Sequence, residues 1–158
     1  MTTYWAGIGS RATPSDILSL MVEIAKKLCQ KGYILRSGGA IGADQAFENG
    51  CAHIDNNKIE TFYWKNATPE AIEIASDLHP NWRACSDMAR KLHGRNAMIL
   101  LGQNLDTPVK FVICWTKNGG PEGGTGMGIR IAQKYDIPVY NLFFDKTRET
   151  IKKQLGIV

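Results

Sequence analysis

The sequence predicts an α/β fold: a Rossmann-like, doubly wound parallel sheet of about five strands with helices on both faces. Short apolar runs alternate with longer segments whose apolar residues recur at helical spacing, a pattern typical of strand–helix–strand crossovers. Because such crossovers are right-handed, we expect parallel strands in the order 3-2-1-4-5. At 158 residues the chain is predicted to be a single domain, residues 1–158.

The predicted strands are short apolar runs that end near glycine or polar residues. They cover residues 3–8, 33–37, 59–64, 110–116 and 137–143. A helix follows the first strand. We expect Thr13 to cap it, Pro14 to occupy its first position, Asp16 to face its positive end and Gly32 to end it.

Five further helices complete the predicted fold. They cover residues 43–52, the segment that begins at Thr68, and residues 83–103, 128–136 and 145–156. Pro69 suits the first turn of the helix that Thr68 begins. The glycine-dense stretch 117–128 is predicted to be a loop, because glycine disfavours regular elements.

Composition and charge exclude few classes of function. Hydrophobic residues make up 44% of the chain and charged residues 22%, with a formal net charge of +4. This mild basic excess fits an anionic ligand without requiring nucleic acid. No apolar run has the length of a membrane span, and the beginning of the chain lacks an export signal. We therefore expect a cytoplasmic protein with no membrane partner.

Neither the cysteines nor the histidines have the spacing of a metal site. There is no CxxC pair, and the histidines are far apart. We expect reduced thiols, no bound metal and no cofactor. The residues concerned are Cys29, Cys51, Cys85, Cys114, His53, His79 and His93.

Three glycine-bearing segments follow the first, second and fourth predicted strands. They cover residues 7–11, 37–42 and 119–128, and in a parallel sheet all three emerge at one edge. Free backbone N–H groups and positive helix ends at this edge suit phosphate or another anion. Gly-x-Gly-x-x-Gly is incomplete after the first strand and no Walker A lysine follows any loop. A standard dinucleotide site or P-loop hydrolase is therefore disfavoured.

Polar residues near these segments supply the chemistry of the predicted site. Ser10 and Thr125 offer hydroxyl groups, and Arg11 offers a planar guanidinium for phosphate. Arg95 and Asn96 can complete the site from the middle helix. The ligand-binding candidates are Gly9, Ser10, Arg11, Ser37, Gly38, Gly39, Ala40, Gly42, Asp44, Arg95, Asn96, Thr116, Gly123, Gly124, Thr125 and Gly126.

Two pairs of residues keep alternative interpretations. Asp44 and Glu48 lie four residues apart on one helix face. They either bind ribose hydroxyls or act as acid and base, or Asp44 caps the helix and Glu48 is exposed. Trp64 and Trp115 either stack on a base or pack in the core.

Several motifs in order resemble the SLOG superfamily, which joins the DNA-processing protein A (DprA, or Smf) family to the LOG nucleotide phosphoribohydrolases. The motifs are Gly9-Ser10-Arg11, "SGGAIGADQAFENG", "HGRNAMILLG" and "GGTGMGIRIA". The opening "YWAGIGSRATP" is similar to that of short, single-domain DprA-like proteins of bacteriophages. The resemblance spans nearly the whole chain.

The resemblance implies three functions. The first is binding of a nucleotide or nucleotide-derived signal; in a phage-encoded protein, this sequesters a host immune signal in the host cytoplasm as an anti-defence activity. The second is LOG-like N-glycosidic hydrolysis by Arg95 and a carboxylate. The LOG motif glutamate is replaced by Gly128, so Asp44, Glu48 or Glu122 would have to substitute.

The third implied function is DprA-like binding of single-stranded DNA. Its expected phosphate contacts are Arg11, Arg36, Lys91 and Arg95. The resemblance also implies a homo-oligomer, for which the apolar segment "NAMILL" is the predicted interface.

Overall fold

The computed structural model describes residues 2–158. Its strands are β1 (Tyr4–Gly7), β2 (Ile34–Ser37), β3 (Ile59–Thr61), β4 (Val112–Cys114) and β5 (Val139–Asn141). Its helices are α1 (Ser15–Gln30), α2 (Ala43–Ile54), α3 (Pro69–Leu78), α4 (Asp87–Leu101), α5 (Gly123–Lys134) and α6 (Asp145–Leu155). The strands form one parallel sheet in the order β3-β2-β1-β4-β5. The predicted fold class and strand order are confirmed.

Two apolar cores cover the two faces of the sheet. Successive residues of a strand point to opposite faces, and in β1 Trp5 packs in one core and Ala6 in the other. The first core includes residues of α1 and α2, such as the fully buried Phe47, and the second includes residues of α4 and α5, such as Met98. Burial of each large apolar side chain contributes about 1.5–3 kcal/mol. These cores fix the sheet and hold its loops in place.

The start of α1 differs from the prediction. Pro14 is the N-cap residue rather than the first helical residue, and no side chain caps this end. The Thr13 hydroxyl instead donates to the Ser10 carbonyl. Thr13 therefore stabilises the turn before the helix, and its predicted role as the cap is wrong.

Helix α5 begins at Gly123, five residues before its predicted start at Gly128. Its glycines allow close packing that side chains would prevent. A Cβ atom on Gly126 would lie 2.4 Å from the Pro121 carbonyl carbon, and one on Gly128 would lie 2.6 Å from Ile8 Cδ1. Low helix propensity predicted a loop here, and tertiary packing overrides it.

Helix α4 is shorter than predicted and carries its apolar segment inward. Ser86 caps the helix by accepting a hydrogen bond from the Ala89 N–H (3.1 Å). Residues Asn96–Leu101 are all buried within the chain. The prediction that "NAMILL" forms an interface between copies is therefore wrong.

Within residues 2–158, no helix combines the length and apolar character needed to cross a membrane.

Candidate functional site

The turns that follow β1 and β2 meet at the carboxyl edge of the sheet. We call residues 8–14 loop 1 and residues 38–42 loop 2. The Ser10 N–H donates to the Trp115 carbonyl (3.1 Å), which joins loop 1 to the chain leaving β4. A Cβ atom on Gly42 would lie 3.8 Å from the Ser10 carbonyl oxygen and from Arg11 Cα. Loops 1 and 2 are therefore in contact.

Helix α4 holds loop 2 and the start of α5 through two consecutive residues. Arg95 Nη1 donates to the Gly38 carbonyl (2.9 Å) and to the Phe62 carbonyl (3.3 Å). Asn96 Nδ2 donates to the Gly124 carbonyl (2.9 Å). The guanidinium passes so close to loop 2 that a Cβ atom on Gly38 would lie 2.5 Å from Nη1. An alanine at this position would therefore require the Arg95 guanidinium to move.

Asp44 is a buried acid beneath loop 2, with 5% of its surface exposed. Burial raises its pKa from 3.8 to about 6; the Ala40 N–H (3.2 Å from Oδ2) and the Arg95 charge lower it, and Glu48 raises it. Gly42 is the N-cap of α2, and no side chain caps this helix. Asp44 therefore holds loop 2 and does not cap α2.

Glu48 lies one turn further along α2 and also contacts this loop region. It accepts a hydrogen bond from the hydroxyl of Ser37 (2.6 Å), which is fully buried. The Ser37 hydroxyl oxygen in turn accepts the Gly39 N–H (3.4 Å). The interpretation of Glu48 as an exposed residue is wrong. The third acidic candidate, Glu122, is exposed at the N-cap of α5.

The helices that follow β1, β2, β4 and β5 have no side-chain cap, whereas Thr68 caps α3 and Ser86 caps α4. At α2 and α5 this leaves backbone donors free. The N–H groups of residues 41–44 and 123–125 donate no hydrogen bond to any other residue of the described chain. Gly42 adopts a φ of 99°, a conformation that favours glycine. Such groups at a positive helix end suit an anion.

Exposed side chains surround the free donors. Arg11 is exposed and forms no ion pair with the residues that the structure describes. Ile41 is 76% exposed at the tip of loop 2, and Tyr63 is 57% exposed. Tyr63 Cε1 lies 3.6 Å from the position of a Cβ atom on Gly39. Neither Ile41 nor Tyr63 was among the predicted site residues. The available signal for Ile41 was an apolar residue inside a glycine-rich loop.

Three predicted residues lie elsewhere or inside the protein. Thr116 is buried, and its hydroxyl oxygen accepts a hydrogen bond from Asn141 Nδ2 (2.7 Å). Trp115 packs in the core, whereas Trp64 lies partly buried in a 3₁₀ turn. Of the two interpretations of Trp115, core packing is therefore correct and stacking on a base is wrong.

Arg36 is a further predicted residue that lies inside the protein, and it is 2% exposed. Its guanidinium lies 3.9 Å from the centroid of the Tyr4 ring. It donates to Glu60 (2.9 Å) and to the Thr107 hydroxyl (3.0 Å). Because these contacts use the guanidinium inside the protein, the expected phosphate contact at Arg36 is wrong.

No protein-family model matches the chain, and no curated protein matches it. Among solved structures, the chain is similar to DNA processing protein A from Helicobacter pylori, described for its unique single-stranded DNA binding mode. The TM-score is 0.59 at 17% sequence identity, and the match covers 97% of this chain and 73% of that chain. At this identity the similarity shows the fold, which is DprA-like.

Proposed function

We propose that the carboxyl edge of the sheet binds the phosphate group of a nucleotide or a nucleotide-derived signal molecule. The free N–H groups at the starts of α2 and α5 carry this proposal, because they lack acceptors while α3 and α4 have caps. Arg11 lies beside the first of these helix ends and adds a guanidinium suited to phosphate. Arg95 and Asn96 take the supporting role, since both hold backbone carbonyls.

The exposed side chains around loop 2 support a nucleotide over inorganic phosphate. Tyr63 offers an aromatic face and Ile41 an apolar surface, and both suit the faces of a base. Asp44 and Glu48 already accept hydrogen bonds from Ala40 and Ser37. Each carboxylate has further lone pairs that can accept from ribose hydroxyls.

The site supports binding without turnover. Gly128, where the resemblance places the LOG glutamate, is buried against Ile8. A glutamate at that position would enter the core rather than reach the edge. Release of free base from AMP, followed by chromatography and abolished by Glu48→Gln or Glu122→Gln, would instead establish hydrolysis. In a phage-encoded protein, binding without turnover would sequester the signal.

Isothermal titration calorimetry against mononucleotides, ADP-ribose derivatives and cyclic oligonucleotides tests the proposal. We expect at least one class to bind, and Arg11→Gln to weaken its binding by about tenfold to a hundredfold, since a charge-assisted hydrogen bond contributes about 1.5–3 kcal/mol. Lys134→Gln removes an exposed charge at the opposite end of α5 and is the matched control. Absence of binding across the panel by folded protein would reject the proposal.

Single-stranded DNA is the second candidate ligand, and the similarity to the DprA structure favours it. Arg11 is exposed, and Lys91 is partly exposed one turn before Arg95 on α4. These two residues are the remaining candidates for phosphate contacts, since Arg36 is buried and Lys91 can exchange its exposed partner Asp87 (3.2 Å) for a phosphate. Oligonucleotide affinity should then fall steeply with salt. A salt-insensitive or absent interaction would remove this candidate, and competition by a mononucleotide would show that both ligands share the edge.

A further inference from the structure

The segment between α3 and α4 brings together three side chains that bind metals. His79 directly follows α3, Cys85 follows the 3₁₀ turn Trp82–Ala84, and His93 lies within α4. Their ligand atoms all lie within 4.8 Å of one another. The spacing His-x₅-Cys-x₇-His is not one that sequence reasoning recognises, because a helix and a turn are needed to bring the three residues together.

One distance in the cluster matches the separation of two ligands on a tetrahedral ion. The Cys85 sulfur lies 3.6 Å from His79 Nε2 and 3.9 Å from Nδ1. Zinc bonds of about 2.0–2.1 Å to nitrogen and about 2.3 Å to sulfur place these atoms about 3.5 Å apart in a tetrahedral site. The two imidazole rings are 4.7 Å apart between centroids. Because the sulfur also lies 3.9 Å from Nδ1, the His79 ring has to rotate before one of its nitrogens faces an ion shared with the sulfur.

An unpaired nitrogen of His93 is a second observation that favours a metal ligand at this cluster. Its Nδ1 atom is buried and has no hydrogen-bond partner among the residues that the structure describes, and an unpaired buried nitrogen is costly.

The fourth direction from this cluster is open. His79 and His93 line a cavity of 310 Å³ together with Gly123, Gly124 and Arg130. The start of α5 and the Arg130 guanidinium make the cavity electropositive, which favours a water-derived hydroxide or another anion at the open position. His79 and His93 therefore border open space, where a water molecule or another small ligand has room to complete the coordination.

We propose that His79, Cys85 and His93 form a site for Zn²⁺ or a similar borderline divalent ion, with one open position facing the start of α5. Two imidazoles and a thiolate are donors that such ions prefer. Binding releases the thiol proton to solvent. Ligation through His79 Nε2 moves the proton of that nitrogen to Nδ1, whereas ligation through Nδ1 leaves the proton on Nε2; in both cases Nδ1 no longer accepts the Asn81 N–H (3.0 Å). The proposal does not depend on nucleotide binding.

Loading of the reduced, untagged, metal-free protein with Co²⁺ tests the site. We expect one ion per chain after desalting, thiolate-to-cobalt charge-transfer absorption, and displacement of Co²⁺ by Zn²⁺. Cys85→Ser should abolish that absorption. His79→Ala and His93→Ala should each weaken binding by more than about tenfold, because loss of a supporting contact alone costs at least that much.

The third histidine provides the control. His53 is exposed on α2, and His53→Ala should bind like the wild type. Zn²⁺ at a hundred times its Kd should raise the Tm of the wild type by about 5–10 °C, and that of Cys85→Ser by much less. This second readout uses the wild type, so it holds even where a variant folds poorly. Substoichiometric binding, or thiolate absorption that survives in Cys85→Ser, would overturn the proposal.

Discussion

Replacement of the buried Asp44 by asparagine should change how the stability of the protein depends on pH. The side chain is 5% exposed, and burial is the largest influence on its pKa, which rises from 3.8 to about 6. Asparagine is nearly isosteric, keeps an oxygen that can accept the Ala40 N–H, and does not ionise. The substitution therefore removes the titration while leaving most of the packing.

The direction of the pH dependence of stability follows from the direction of the pKa shift of Asp44. An acid with a higher pKa in the folded state holds its proton more tightly there. Its contribution to stability is complete below pH 3.8, the unfolded value, and is lost as the pH rises through about 6. The difference between the folded-state and unfolded-state pKa values corresponds to about 3 kcal/mol in the free energy of unfolding. Of this, about 2–3 kcal/mol is lost between about pH 4 and about pH 7.5.

Urea unfolding of the wild type and of Asp44→Asn across this range measures the effect. The free energy of unfolding of the variant, relative to the wild type, should increase by about 2–3 kcal/mol as the pH rises, which is about 5–10 °C in Tm. Asp16→Asn removes an exposed acid from the first turn of α1 and should change stability by less than about 1 kcal/mol. A difference for Asp44→Asn that stays constant with pH would refute the reasoning.

Three further predictions concern the same region and the thiols. Arg95→Met should raise the pKa of Asp44 above about 6, because the Arg95 charge lowers it; an NMR titration of the carboxyl carbon that shows no rise would contradict this. Gly38→Ala should cost about 1–3 kcal/mol in urea unfolding, since its Cβ would lie 2.5 Å from Arg95 Nη1, and an unchanged midpoint would show that the guanidinium moves freely. Burial raises the pKa of Cys114 to about 12, whereas Cys85 is half-buried. Iodoacetamide should therefore label Cys85 in the folded protein long before Cys114, as followed by peptide mass spectrometry, and equal rates would contradict it.

The sequence predicted the sheet because its signal is local and repeated. Each strand is a short apolar run and most helices carry apolar residues at helical spacing, so the order 3-2-1-4-5 followed from the connection rules. Where a tertiary contact decides the conformation, the prediction failed. The glycines at 123–128 read as a loop, and only their packing against Pro121 and Ile8 makes them helical.

The shared edge of the glycine segments could be predicted because it also follows from a local, repeated pattern. Glycine segments after parallel strands must share an edge, whereas Arg95 donates to the Gly38 carbonyl of loop 2, a supporting contact that the sequence did not indicate. Burial of Arg36 by Glu60 and Thr107 depends on partners 24 and 71 residues away. Such long-range partners leave no periodic signal, and the cluster around Cys85 was missed in the same way.

The two contacts from α4 also constrain what the edge can accept. Arg95 and Asn96 are consecutive residues, so their directions differ by about 100° around one helix axis. One holds loop 2 and the other holds the start of α5. Because both contacts come from one rigid helix, the distance between the two sets of free amides is fixed. A molecule that is too short would contact only one of the two sets of amides. The edge would then select ligands by size, without a contact to any distinguishing chemical group.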